Sequence, residues 1–135
     1  MPYCVKKCAY CDFVSYTDRF STANEYCGTV IDELMQYDAH GYSVETVFFG
    51  GGTPSAVAPE IIMRILSAIG QKYSLANNAE ITLECNPCTL DEDKLCKYRS
   101  YGINRLSIGV QSFDDNVLKI LGRVHDANTA RKSIE

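Results

Sequence analysis

Apolar residues follow a helical spacing in some segments of the chain and an extended spacing in others, and the two kinds of segment alternate. In the helical segments, apolar side chains recur three or four positions apart, as one face of a helix requires. The predicted helices are residues 18–38, 59–73 and 90–101, a short helix opening at Ser112 or Asp114, and a last helix from Ala127. Glycines at 41 and 102 are stop signals for the first and third of these helices.

Three short segments between these helices predict strands. Residues 44–49, 79–85 and 105–110 are rich in β-branched or alternating apolar side chains, and turn residues follow the first two. Strands that alternate with helices are joined by right-handed crossovers, which make neighbouring strands parallel. The predicted class is therefore α/β, a parallel sheet with helices outside it.

The predicted order lacks elements that such a fold needs. A strand is expected before the first helix, yet only three residues precede Cys4. Three strands are also too few to close a barrel. We expect residues 1–135 to be one incomplete domain, with the first strand and the C-terminal half of the barrel outside the sequence, and we expect this segment alone to be inactive.

Composition narrows the class of function. With 46% apolar and 22% charged residues, the chain can bury one ordinary core. A net charge of -4 gives no bulk attraction to nucleic acid or to an acidic membrane, so small molecules are the expected partners. No segment reads as a signal peptide or reaches the roughly 20 apolar residues of a membrane span, and the default location is cytoplasmic.

Three cysteines near the N-terminus form the most informative motif. Cys4, Cys8 and Cys11 are spaced CxxxCxxC in the run MPYCVKKCAYCDF. Three thiolates on one tight loop can hold an iron-sulfur cluster and leave one iron open, which is the arrangement of a catalytic site. An odd total of seven cysteines without a signal peptide also favours metal or thiol chemistry over disulfides.

The other cysteines leave alternatives open. A zinc site usually uses paired CxxC units, and Cys85 and Cys88 have that span although Asn-Pro lies between them. Zinc binding, or a chance cluster of cysteines, therefore remains an alternative. Cys27 and Cys96 fall within predicted helices and are expected to be small core residues. His40 and His125 lack metal spacing and are expected to be structural or exposed.

The remaining motifs follow strand ends. GGGTPS at 50–55, ECNP at 84–87 and GVQSF at 109–113 each follow a predicted strand, and such loops meet at one edge of a parallel sheet. The glycines allow close backbone approach to a ligand, or merely a tight turn. Glu84 is placed to bind an ammonium or a ribose hydroxyl, or it is merely a solvated residue at a strand end. Gln111 and Arg123 are surface residues unless they join the same site.

Taken in order, CVKKCAYCDF, FFGGGTPS, ITLECNP, GINRLSIGVQSF and LGRVH resemble the radical S-adenosylmethionine (SAM) superfamily, in its HemN/HemW branch. The resemblance implies a partial (β/α)6 TIM-like barrel whose three cysteines, Cys4, Cys8 and Cys11, hold a [4Fe-4S] cluster. It also implies that SAM chelates the open iron and is cleaved on reduction to methionine and a 5′-deoxyadenosyl radical.

The same resemblance assigns the SAM contacts. Gly51, Gly52 and Thr53 match the family's SAM-contacting glycine motif. Glu84, Gln111 and Arg123 match its polar SAM contacts, with Arg123 suited to the carboxylate. No catalytic side chain is assigned.

Within the branch, sequences of the HemN type carry a further cysteine two residues after the third, where this chain has Phe13. The chain is in this respect more similar to the HemW group. The resemblance implies a role in heme or porphyrin metabolism, as a heme chaperone or a coproporphyrinogen III oxidase-like protein, with SAM, porphyrin or heme, and an electron donor as partners. A heme-binding chaperone with little SAM turnover, and a fragment that has lost both activities, are the alternatives.

Overall fold

A computed structural model describes all residues from Met1 to Glu135 and confirms the α/β class. Three parallel strands form one sheet in the order β1-β2-β3. The strands are β1 (Ser43–Phe49), β2 (Ser74–Cys85) and β3 (Arg105–Ile108). The helices are α1 (Ala23–Gln36), α2 (Pro59–Lys72), α3 (Glu92–Tyr101), α4 (Asp115–Ile120) and α5 (Ala127–Lys132). None of them is long and apolar enough to cross a membrane.

The core lies between one face of the sheet and the helices. Because side chains alternate along a strand, Leu83 and Cys85 of β2 point to the buried face, while Glu84 between them does not. The broad apolar face of α2 predicted from its isoleucines covers these strand residues, and Ile62 is completely buried. Cys27 of α1 is also completely buried, which confirms its expected place in the core.

Cys96 is exposed, so its expected place in the core is wrong. It lies on α3, where Tyr98 is the buried position and is only 1% exposed. Because positions two apart on a helix point in different directions, Cys96 faces away from the core.

Several predicted boundaries differ from the observed ones. A single 3-10 turn, Phe20–Thr22, precedes α1, and the chain becomes extended at Tyr37, before the glycine that was expected to end the helix. β2 begins at Ser74, five residues earlier than predicted. The polar pair at 77–78 hides this part of the strand, because asparagine is depleted in strands.

Asn104 completes the hydrogen bonding of β2 before β3 begins. Its side chain accepts from the Ile81 N–H at 2.8 Å and donates to the Ala79 carbonyl at 2.8 Å, and its own N–H donates to the Ile81 carbonyl at 3.1 Å. The side chain therefore replaces a residue of a neighbouring strand and satisfies backbone groups that would otherwise be unpaired.

Residues 1–3 stand in the chain where the sequence pattern required a first strand, but they do not join the three-stranded sheet. Tyr3 forms an isolated parallel bridge with Tyr16, and the Cys4 N–H donates to the Tyr16 carbonyl at 3.1 Å. The Tyr3 side chain is buried against the rings of Phe20 and Tyr26. The cysteine loop is thus closed at its base and anchored in the core.

His125 holds the chain after α4 against the loop that follows β3. Its Nε2 lies 3.0 Å from the Val110 carbonyl, and because a carbonyl only accepts, Nε2 carries the hydrogen. Nδ1 is buried and has no partner. Burial lowers the pKa of His125, and the positive charge of Arg123 acts in the same direction. The neutral imidazole is therefore the form that the fold accommodates.

We expect Leu83→Ala to lower the free energy of unfolding by about 3 kcal/mol, because it leaves a cavity in the core. Leu83 is 0% exposed, whereas Phe48 on the neighbouring strand β1, in register with Thr82, points to the other face and is 58% exposed. Phe48→Ala is the matched control and should cost less than about 1 kcal/mol. Denaturant unfolding measures both variants, and equal losses would contradict the assigned faces of the sheet.

The lowered pKa of His125 predicts a pH dependence of stability. In the unfolded chain a histidine has a pKa of about 6.5. Between that value and the lowered pKa of the folded state, the unfolded state binds more protons than the folded state. Stability contributed by neutral His125 is therefore fully present above about pH 6.5 and is lost as pH falls through the folded pKa.

His125→Gln should reduce this loss between about pH 7.5 and pH 5, as measured by denaturant unfolding at each pH. His40→Gln is the control, since His40 is exposed and makes its hydrogen bond through the backbone N–H. Identical pH profiles for wild type and His125→Gln would contradict this role of burial.

Candidate functional site

All nine predicted site residues line one cavity at the carboxyl edge of the sheet. The cavity has a volume of about 250 Å³. Its wall includes the three cysteines of the triplet and the six predicted SAM contacts: Cys4, Cys8, Cys11, Gly51, Gly52, Thr53, Glu84, Gln111 and Arg123. These residues come from five segments, namely the cysteine loop, the glycine loop, the end of β2, and the turns after β3 and after α4. The parallel topology brings the carboxyl ends of the strands to the same edge.

The cysteine loop forms one side of this cavity. Cys4 is buried, and Cys8 and Cys11 are partly exposed. A turn in which the Cys11 N–H donates to the Cys8 carbonyl at 3.1 Å brings the second and third cysteines together. Cys4 Sγ lies 3.4 Å from Thr53 Oγ1, so the first cysteine contacts the glycine loop directly.

The donor set fits an iron-sulfur cluster. No three His, Cys, Asp or Glu side chains converge as ligands of a single metal ion. In a cubane cluster each thiolate binds a different iron, so its cysteines surround a cavity and do not meet at one point. Arg123 Nη1 lies 3.4 Å from Cys8 Sγ and supplies positive charge beside these thiols.

Cys85 and Cys88 do not complete a zinc site with the triplet. Cys85 also lines the cavity, but its thiol donates to the Leu83 carbonyl, and burial raises its pKa to about 11. A thiol must lose its proton to bind a metal, so this environment disfavours Cys85 as a ligand. Cys88 is exposed and lies outside the cavity wall.

The glycine loop approaches the cysteine segment too closely for a side chain. A Cβ placed on Gly52 would lie 2.7 Å from the Tyr3 carbonyl oxygen and 3.1 Å from Cys4 Sγ. This approach allows the Gly52 N–H to donate to the Met1 carbonyl, and the Thr53 N–H to the Tyr3 carbonyl, both at 2.7 Å. Gly51 adopts a φ of 112°, which disfavours any other residue.

Glu84 connects two of the loops that surround the cavity. It lies next to the end of β2, in register with Ser107 of β3, and its Oε2 accepts from the Gly51 N–H at 3.1 Å. Its Oε1 has no protein partner. The carboxylate therefore holds the glycine loop and keeps an oxygen for a ligand.

Arg123 and Gln111 complete the wall of the cavity. Arg123 Nη2 donates to the Gly109 carbonyl at 2.6 Å, and Nη1 lies 3.4 Å from the Tyr10 hydroxyl. The Nε of Arg123 is buried without a protein partner, which leaves a donor for an anionic ligand group. Gln111 has a φ of 68°, an uncommon conformation for a residue with a Cβ, and this backbone strain is typical of functional loops.

Sequence reasoning did not assign further residues of the cavity wall individually, among them Tyr10, Asn86, Ser107 and Gly109, although Asn86 and Gly109 lie in the ECNP and GVQSF motifs. The sequence contains a signal for Ser107, because two-residue alternation along β3 puts it on the same face as Arg105. In the structure, its register pairs it with Glu84. Tyr10 lies inside the cysteine motif itself. Burial raises the pKa of the Tyr10 hydroxyl, and the Arg123 guanidinium acts against that rise.

Comparison with known proteins agrees with this geometry. The family model of the Radical SAM superfamily matches residues 1–135. The heme chaperone HemW of Escherichia coli (strain K12) is 39% identical over 137 residues, which cover 98% of this chain and 36% of that protein. The mitochondrial radical S-adenosyl methionine domain-containing protein 1 of Bos taurus is 39% identical over 135 residues, with 98% and 30% covered.

Solved structures give the same result. Coproporphyrinogen III oxidase (HemN) from Escherichia coli, described as a radical SAM enzyme, superposes with a TM-score of 0.85 and 29% identity over 98% of this chain and 33% of that chain. Elp3 of Methanocaldococcus infernus shares the fold, with a TM-score of 0.56 and 21% identity over 77% of this chain. The chain spans 36% of one curated relative and 30% of the other. Because the family model covers the whole sequence, the chain belongs to the radical SAM superfamily.

Proposed function

We propose that this chain binds a [4Fe-4S] cluster through Cys4, Cys8 and Cys11 and binds SAM beside it, in a protein that acts in heme or porphyrin metabolism. The observation that carries the proposal is the meeting of the three cysteines with the glycine loop, Glu84, Gln111 and Arg123 around one cavity. Membership of the superfamily supports the choice of both cofactors.

Different residues of the cavity suit different groups of SAM. The guanidinium of Arg123, with Nε free, suits the carboxylate of SAM, because an arginine can form charge-assisted hydrogen bonds with it. Glu84 Oε1 suits the ammonium or a ribose hydroxyl. The backbone at residues 51–53 allows the ligand to approach closely. When bound and reduced by an electron donor, the two cofactors would supply the reductive cleavage of SAM.

The role in heme metabolism rests on the relatives. HemW of Escherichia coli is named a heme chaperone, and HemN a coproporphyrinogen III oxidase. Phe13 stands where a further cysteine would make the motif HemN-like, so we favour the HemW-like role. A heme-binding chaperone with little or no SAM turnover is the second candidate, since HemW of Escherichia coli, at 39% identity, is named a heme chaperone.

Cys8→Ala should abolish both the cluster and SAM cleavage. We would reconstitute the longest reading frame that contains this sequence with iron and sulfide under anaerobic conditions, reduce it with SAM present, and measure iron, sulfide and 5′-deoxyadenosine. Cys96→Ala is the control, because Cys96 is exposed on α3 and lies outside the cavity. It should retain cluster and product.

The outcomes separate the candidates. A wild-type protein without cluster absorption, or a Cys8→Ala variant that keeps it, would refute the cofactor proposal. A stable cluster and bound heme without 5′-deoxyadenosine would favour the chaperone. Heme retained when Cys4, Cys8 and Cys11 are all replaced by alanine would show that heme binding does not need the cluster.

Arg123→Gln should weaken SAM binding by about tenfold or more, because a charge-assisted hydrogen bond to a carboxylate contributes about 1.5–3 kcal/mol. The measurement is the dissociation constant of SAM on the cluster-loaded protein, after the iron content of each variant has been matched. Arg64→Gln is the control, since Arg64 bonds to Asn24 in an exposed contact between α1 and α2. Unchanged SAM affinity in Arg123→Gln would remove Arg123 from the SAM site.

A further inference from the structure

A ring of hydrogen bonds connects the loop after β1 to the loop after β2. The Asn86 N–H donates to Ser55 Oγ at 3.2 Å, and the Thr89 hydroxyl donates to the Asn86 carbonyl at 2.8 Å. Ser55 Oγ and Thr89 Oγ1 are 2.5 Å apart. Because the single hydrogen of the Thr89 hydroxyl is already used, Ser55 is the donor in that contact. The ring therefore closes with one direction of donation throughout.

Lys94 of α3 binds the same two loops from outside the ring. Its Nζ donates to the Ser55 carbonyl at 2.9 Å and to the Thr89 carbonyl at 3.2 Å. Ser55 is completely buried, and Thr89 is 9% exposed. Buried polar groups are costly unless they are paired, so this set is stable because its members satisfy one another.

These contacts lie just behind the proposed SAM site. Ser55 follows Thr53 by two residues, and Asn86 follows Glu84 by two residues. At the cavity itself the two loops meet where the Gly51 N–H donates to Glu84. Ser55, Thr89 and Lys94 do not line the cavity, so they act on a ligand only by fixing where the two loops lie.

We propose that Ser55, Thr89 and Lys94 form a loop latch of positioning residues, which sets the separation between the backbone at residues 51–53 and the carboxylate of Glu84. This inference rests on the proposed function, because it takes SAM as the ligand that both loops hold. A core could fill the same space with apolar side chains, and would then lose the directional link between the loops.

Two pairs of variants test the latch in the full reading frame. Thr89→Val keeps the shape of the side chain and removes the hydroxyl, whereas Thr89→Ser keeps the hydroxyl. Lys94→Met removes the ammonium, and Lys97→Met is its control on the same helix, because Lys97 bonds only to Glu60 and Asp93 at the surface.

We expect Thr89→Val and Lys94→Met to raise the SAM dissociation constant of the cluster-loaded protein by about tenfold, which corresponds to about 1.4 kcal/mol. Their iron content should equal that of wild type. Thr89→Ser and Lys97→Met should stay within about twofold of wild type. In the cluster-free protein, amide hydrogen exchange at residues 50–53 should be faster in Thr89→Val than in Thr89→Ser.

A purely structural role gives a different result. If Thr89→Val and Lys94→Met lower the midpoint of thermal unfolding while SAM affinity and exchange at residues 50–53 stay as in wild type, the latch proposal is wrong. If wild type binds neither cluster nor SAM, the proposed function fails. The exchange comparison in cluster-free protein then still decides whether Thr89 fixes the glycine loop.

Discussion

The site depends on the close approach of two stretches of backbone, the glycine loop and the segment before Cys4. Gly52 has no room for a Cβ, which would lie 2.7 Å from the Tyr3 carbonyl oxygen. That absence permits two backbone hydrogen bonds of 2.7 Å and places Thr53 beside the first cysteine. The buried Tyr3 side chain then fixes this pair of segments to the core. The proposed cluster ligands and the proposed SAM contacts share a cavity because of this approach.

The alternation of side chains along β2 separates stability from chemistry. Leu83 and Cys85 point into the core, and Glu84 between them reaches the cavity and the Gly51 N–H. On the same face as Glu84, Arg105 lies 3.5 Å from Glu80 and donates to Thr82 at 3.2 Å. One face of the strand therefore carries the apolar packing, while the other carries a continuous set of polar groups that leads to the site.

The sequence predicts those parts of this structure that depend on local pattern or on topology. Three strands and their parallel order follow from short apolar runs between helices, and the meeting of Gly51, Glu84 and Gln111 follows from the shared edge of a parallel sheet. Arg123 follows a helix, and only the family resemblance assigned it to the site. The start of β2 was missed because Asn77 and Asn78 interrupt its pattern, and it is held as a strand by the pairing of Ser74 and Leu75 with Ser43 and Val44 of β1. Such pairing depends on residues distant in the chain, and no local pattern records it.

The loop latch cannot be predicted from local sequence patterns for the same reason, since Lys94 and Ser55 are 39 positions apart. The difference between apolar packing and specifically paired groups bears on how the fold can match HemN with a TM-score of 0.85 at 29% identity. Cores tolerate many apolar substitutions when volume and pattern are kept. A close backbone approach at Gly52 and a buried ring of matched donors and acceptors tolerate far fewer, because a wrong side chain leaves a clash or an unpaired polar group. The geometry of the site is therefore constrained by a few polar and glycine positions, and the packing beneath it can vary as long as its volume and apolar pattern are kept.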